Sequence, residues 1–112
     1  MRRIAFVCLK GGTGKTTTTT AVAVGLARRG KRVLVIDADQ QSNATWTLSG
    51  GQEADAPTLA AVLTRQAAAI EAIRPTTTPG VDLLPADGSL GAVNVQLAQE
   101  LGRDTRLRSA ME

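Results

Sequence analysis

Three short apolar runs punctuate this chain, and the stretches between them carry apolar residues at helical spacing. Residues 4–9 (Ile-Ala-Phe-Val-Cys-Leu) are continuously apolar. Such a run fits a parallel strand buried on both faces better than an alternating surface strand. Residues 33–36 (Val-Leu-Val-Ile) read as a second buried strand, and residues 81–84 (Val-Asp-Leu-Leu) as a short third one closed by Pro85. Between the first two runs, residues 16–29 suit a helix. The threonines at 16–20 are poor helix-interior residues, but at a helix start their hydroxyls can satisfy free amides. Ala21, Val22, Val24, Leu26 and Ala27 then offer apolar surface to the sheet. Arg28 and Arg29 suit the negative end of the helix dipole, and Gly30 is a natural stop. Strand, helix and strand make a right-handed βαβ unit.

Further along, residues 40–56 are polar and glycine-containing, a loop with one helical turn near 43–48. Short helices are expected at 57–63 and, at the surface, at 67–73. The Pro75 to Gly80 segment is a cluster of breakers. Residues 89–101 place Leu90, Val93, Leu97 and Leu101 on one helical face. Gly102 interrupts, and residues 103–111 start one more helix.

The turn after the first run carries the chemistry. It reads Lys10-Gly11-Gly12-Thr13-Gly14-Lys15-Thr16-Thr17. Glycines let backbone N–H groups approach phosphate oxygens, and the helix that follows aims free amides and its positive dipole end at the same place. Lys15 can reach the β- and γ-phosphates, and the Thr16 hydroxyl can ligate magnesium. Thr17 can add a contact nearer the α-phosphate. The ligand class is a nucleoside triphosphate with Mg2+. The alternative is a glycine-rich turn with no ligand. The general phosphate-loop spacing G-x-x-x-x-G-K-[ST] is not met, because its first glycine would fall on Leu9.

Asp37 and Asp39 end the second strand, and ligands of open α/β sheets bind at that edge. Alternation along an extended chain would send both carboxylates to the same side. One could hold magnesium through water while the other orients an attacking water. The alternative is a pair of acids that merely closes a strand.

Composition removes other chemistries. With 112 residues there is room for one domain, short for a doubly wound fold. Hydrophobic residues make up 43% and charged residues 21%, ordinary for a globular chain. Phe6 and Trp46 are the only aromatics, so the core must come from Val, Leu, Ile and Ala. Cys8 is the sole cysteine and histidine is absent, which excludes an internal disulfide, a thiolate cluster and His-based catalysis. Net charge is +3, which permits contact with nucleic acid without establishing it. The first apolar run is too short for a signal-peptide core or a membrane span, so a cytoplasmic protein is expected.

The variant K-G-G-x-G-K-[ST]-T resembles the deviant Walker A motif of the ParA/Soj/MinD family of ATPases. The segment from Val33 through Asp37-Ala-Asp39-Gln-Gln-Ser-Asn43-Ala-Thr45 is similar to that family's D-x-D-P-Q-G-N-A-T stretch, with Gln40 in place of its proline and Ser42 in place of its glycine. The resemblance implies an α/β P-loop NTPase with a parallel β-sheet flanked by helices. It implies ATP and Mg2+ as ligands, bound by residues 10–17, with Thr16 and Asp37 on the metal. Lys10 would reach across a sandwich homodimer to phosphates on the other subunit, Lys15 would hold its own, and Asp39 would position the hydrolytic water. Leu9 and the lack of a visible membrane helix favour the partition branch. That branch acts in chromosome or plasmid segregation with a ParB-type partner, on nonspecific DNA and without a membrane. Arg103, Arg106 and Arg108 form a basic cluster that also reads as a solvated helix face. Family segments beyond the last helix have no counterpart, so residues 1–112 are expected to be the amino-terminal portion of such an ATPase. A nucleotide-holding module without turnover, and a related positioning or regulatory ATPase, remain as alternatives.

Overall fold

The computed structural model describes residues 14–97 and 106–111. The expected strand at 4–9, the loop residues 10–13, Leu101 and Arg103 lie outside them. Helix α1 (Lys15–Arg28) opens directly after Gly14. It ends as the sequence suggests: Gly30 takes φ 80, its amide donates to the Ala27 carbonyl, and the Lys31 amide donates to that of Leu26. This is a Schellman stop, which favours glycine because the left-handed conformation crowds a Cβ.

Strand β1 (Val33–Ile36) follows, then α2 (Asn43–Leu48), α3 (Leu59–Leu63), α4 (Ala69–Ala72), β2 (Arg74–Pro75), β3 (Val81–Leu84), α5 (Leu90–Leu97) and α6 (Arg106–Ala110). The described sheet has the order β1-β3-β2. β1 and β3 are parallel, with Val33 opposite Val81 and Ile36 opposite Leu84. β2 pairs antiparallel with β3. That two-residue edge falls in what the sequence marks as breakers. Pro75 fits there because an edge strand need not donate an N–H on its outer side.

Register decides which side chains are buried. Val33, Val35, Val81 and Leu83 share one face, where Val35, Val81 and Leu83 pack with Ala23 of α1 and Leu48 of α2. Small side chains let this helix lie close: a Cβ on Gly80 would sit 3.4 Å from that of Ala27. Among the described side chains of α1 Ala23 is the buried one, while Ala21, expected on the apolar side, is exposed. On the opposite face Leu84 is fully buried with Leu59, Val62, Ala72, Ala86 and Leu90, and Ile36 packs against that cluster. Leu107, Ala110 and Met111 bring α6 onto it. The helices cover only the carboxyl-terminal half of this face. Leu34 is therefore 37% exposed beside exposed Asp82, which corrects the expectation of a fully buried second strand.

Arg74 fastens the surface. Its guanidinium donates to the carbonyls of Asp55, Pro57 and Ala72. No helix among the described residues is long and apolar enough to cross a membrane.

Candidate nucleotide-binding site

Gly14 is the last loop residue and the first described one. It takes φ 82 and ψ 10, a left-handed conformation, and its carbonyl accepts the Thr18 amide at 2.8 Å. The first turn of α1 therefore begins on a residue with no side chain to cap it, and no acidic residue occupies that turn. Uncapped first-turn amides with the dipole behind them suit an anion. Thr16 is half-buried and Thr17 exposed. Further in, the Thr20 hydroxyl donates back to the Thr16 carbonyl at 2.9 Å, so this hydroxyl is satisfied within the helix itself.

The two aspartates separate in role. The strand stops at Ile36, so side-chain alternation does not carry past it, and the carboxylates do not share one environment. The Asp37 amide still donates to the Leu84 carbonyl at 3.0 Å, but its side chain turns inward and is 4% exposed. Its Oδ2 accepts the Thr45 amide at 2.9 Å and the Thr45 hydroxyl at 2.7 Å. Its Oδ1 accepts the Asp39 amide at 3.1 Å. Asp39 is half-buried, and its Oδ1 accepts the Gln41 amide at 2.9 Å. Two successive Asx turns thus shape the loop leaving the strand. Ser42 closes that loop at φ 59, ψ 30, in the left-handed region.

Sequence reasoning missed Thr45. It ends the quoted family-like stretch, yet nothing in its spacing marks it as the partner of Asp37. It is 2% exposed, and its hydroxyl also accepts the Ala86 amide at 2.9 Å. No buried side-chain nitrogen or oxygen among the described residues lacks a partner.

Among the described residues no three carboxylate or cysteine groups converge as a metal cage. One carboxylate and a threonine hydroxyl suit magnesium, which is usually held by one or two carboxylates plus substrate phosphates and keeps several waters. Thr16 and Asp37 are the residues present that would hold it. A depression of about 460 Å³ lies elsewhere, between the α3–α4 turn and α6, lined by Val62, Arg65, Glu71 and Ala110 among others. None of the expected site residues borders it. A phosphate cradle is a surface turn of backbone amides and needs no enclosed cavity. Lys10, Gly11, Gly12, Thr13 and the side chain of Lys15 lie outside the described part of the structure.

The described fold and the loop sequence place the chain in the α/β P-loop class. A family model described as AAA domain (AAA_31) matches residues 1–112. The chain is 42% identical over 112 residues to the chromosome partitioning protein ParA of Caulobacter vibrioides, covering all of this chain and 42% of that protein. It is 39% identical over 110 residues to the sporulation initiation inhibitor protein Soj of Bacillus subtilis, covering 97% of this chain and 43% of that one. Cobyrinic acid a,c-diamide synthase from Mycobacterium smegmatis, solved with a bound ATP analog and magnesium, superposes with a TM-score of 0.86 at 32% identity, over 94% of this chain and 43% of that one. The chain belongs to this AAA domain family, among the ParA/Soj/MinD-type ATPases. It spans about two fifths of the length of the curated relatives named here.

Proposed function

We propose that this chain binds Mg-ATP on residues 10–17 and hydrolyses it within a partition-type ATPase. The main support is one juxtaposition. A left-handed Gly14 opens a 14-residue helix with no acid in its first turn, and the strand packed against that helix leads into the loop that carries Asp37 and Asp39. Backbone amides of the loop and Lys15 would cradle the phosphates. Magnesium, when bound with the nucleotide, neutralises charge on the phosphate oxygens. Thr16 and Asp37 would hold it, and Asp39, the more accessible carboxylate, would orient the hydrolytic water.

The resemblance to partition proteins extends the proposal. Nucleotide-bound chains pair as a homodimer in which Lys10 reaches the partner's phosphates. A ParB-type protein stimulates hydrolysis. Nonspecific DNA is the working surface, and the setting is cytoplasmic and nucleoid-associated. The process served is chromosome or plasmid segregation.

Titration with a fluorescent ATP analogue should give saturable binding that needs magnesium, and sedimentation should show pairing with ATP and not with ADP. Phosphate release should fall by about 10³-fold or more in Lys10→Ala, the loss expected for a group cancelling charge on the leaving phosphoryl. It should also collapse in Asp39→Ala. Absence of saturable binding refutes the proposal. Binding without phosphate release, in wild type, assigns a nucleotide-holding module instead.

A further inference from the structure

Three separate elements meet on one buried hydroxyl. Thr45 Oγ1 donates to Asp37 Oδ2 at 2.7 Å and accepts the Ala86 amide at 2.9 Å. Asp37 follows β1, Ala86 follows β3, and Thr45 lies in α2. The Thr45 amide adds a second bond to the same Oδ2, at 2.9 Å. An ionised carboxylate offers about four lone-pair positions. Two on Oδ2 go to Thr45, and one on Oδ1 goes to the Asp39 amide. Among the described residues one remains, on Oδ1.

We infer that Thr45 is a positioning residue for magnesium handling: it fixes the Asp37 carboxylate from behind and leaves a single Oδ1 lone pair for the hydration shell of the ion. This rests on the nucleotide-binding reading above. The clasp also ties the carboxylate to the backbone that leads from β3 into α5. A rearrangement of Asp37 on ion binding must therefore be felt at Ala86. Outer partners of metal-handling groups fix orientation, and their loss commonly weakens metal affinity by 10–100-fold.

The test compares Thr45→Val, which keeps the shape and removes the hydroxyl, with Thr45→Ser, which keeps it. Magnesium is titrated into each protein with a fluorescent ATP analogue present, and amide exchange at Ala86 is followed in parallel. In Thr45→Val the half-saturating magnesium concentration should rise about tenfold, while nucleotide affinity without magnesium stays within about twofold of wild type. Thr45→Ser should keep the wild-type magnesium midpoint. Ala86 exchange in wild type should slow when magnesium joins the nucleotide, a readout that survives even if Thr45→Val does not fold. A folded Thr45→Val with an unchanged midpoint overturns the inference. So does a wild-type Ala86 amide indifferent to magnesium while nucleotide binding depends on it. Wild-type protein with no magnesium-dependent binding refutes the site itself, and the inference with it.

Discussion

Replacing Ser42 by glycine should stabilise this protein. Ser42 precedes α2 at φ 59, ψ 30, in the left-handed region. For a residue with a Cβ that conformation costs roughly 1–2 kcal/mol, which glycine escapes. Against this stands the greater freedom glycine gives the unfolded chain, about 0.4–1 kcal/mol. The hydroxyl changes little. Serine is favoured before a helix because its oxygen caps an amide of the first turn, but Ser42 makes no such bond. The Thr45 amide, at the third helical position, is already taken by Asp37 Oδ2 at 2.9 Å. The bond that the Ser42 hydroxyl donates to the Gln40 carbonyl, at 3.4 Å, is exposed and long, and so contributes little. The balance is a gain of about 0.5–1 kcal/mol, or a rise in Tm of a few degrees for a domain of this size. Urea denaturation of wild type, Ser42→Gly and Ser42→Ala measures it. The alanine variant removes the hydroxyl and keeps the Cβ, so it should lie at or slightly below wild type. A glycine variant no more stable than the alanine variant refutes the reasoning.

Arg65 occupies the equivalent stopping position after α3, at φ 62, with its amide on the Val62 carbonyl and the Gln66 amide on that of Ala61. Arg65→Gly should therefore add about 0.5–1 kcal/mol by the same balance, seen as a higher urea midpoint with unchanged slope. Leu84 has no exposed surface and sits where the helical cluster meets the sheet. Leu84→Ala should cost about 2–5 kcal/mol, read as a lower Tm by calorimetry.

Local signals were legible where one residue type solves a local problem. Gly30 had to end α1, and the turn at 43–48 and the apolar strand at 81–84 carry their own patterns. Helix α4 is shorter than residues 67–73 suggest, because Ala68 is extended and α4 closes again at Ile73. The antiparallel edge β2 had no period to detect: it is two residues long, and one of them is proline. Burial of β1 was misjudged at Leu34, since a run of four apolar residues does not say how far the covering helices reach. The carboxylates were found because their position at a strand end is sequence-local. Their unlike surroundings were not, because the partners are distant: Thr45 lies eight residues from Asp37, and Ala86 lies 41 residues beyond Thr45.

Asp37 carries both a cost and a structural return. Burying an anion costs several kcal/mol, which three hydrogen bonds offset in part. An apolar pair at 37 and 45 would escape that cost but leave the amides of Asp39, Thr45 and Ala86 without these acceptors. What an apolar pair could not do is hold a negative charge in fixed orientation at the carboxyl edge of the sheet. The hydroxyl and the amide of Thr45 converge on Oδ2, while the Asp39 amide meets Oδ1, so among the described residues Oδ1 is the less engaged oxygen. Asp39 differs in the expected sense: it is more accessible and sits on the loop that Ser42 closes. A fixed carboxylate for the ion and a more accessible one for water is a division of labour that two equivalent acids at a strand end would lack. Substituting Ser42 and Thr45 separately perturbs the two halves of that division.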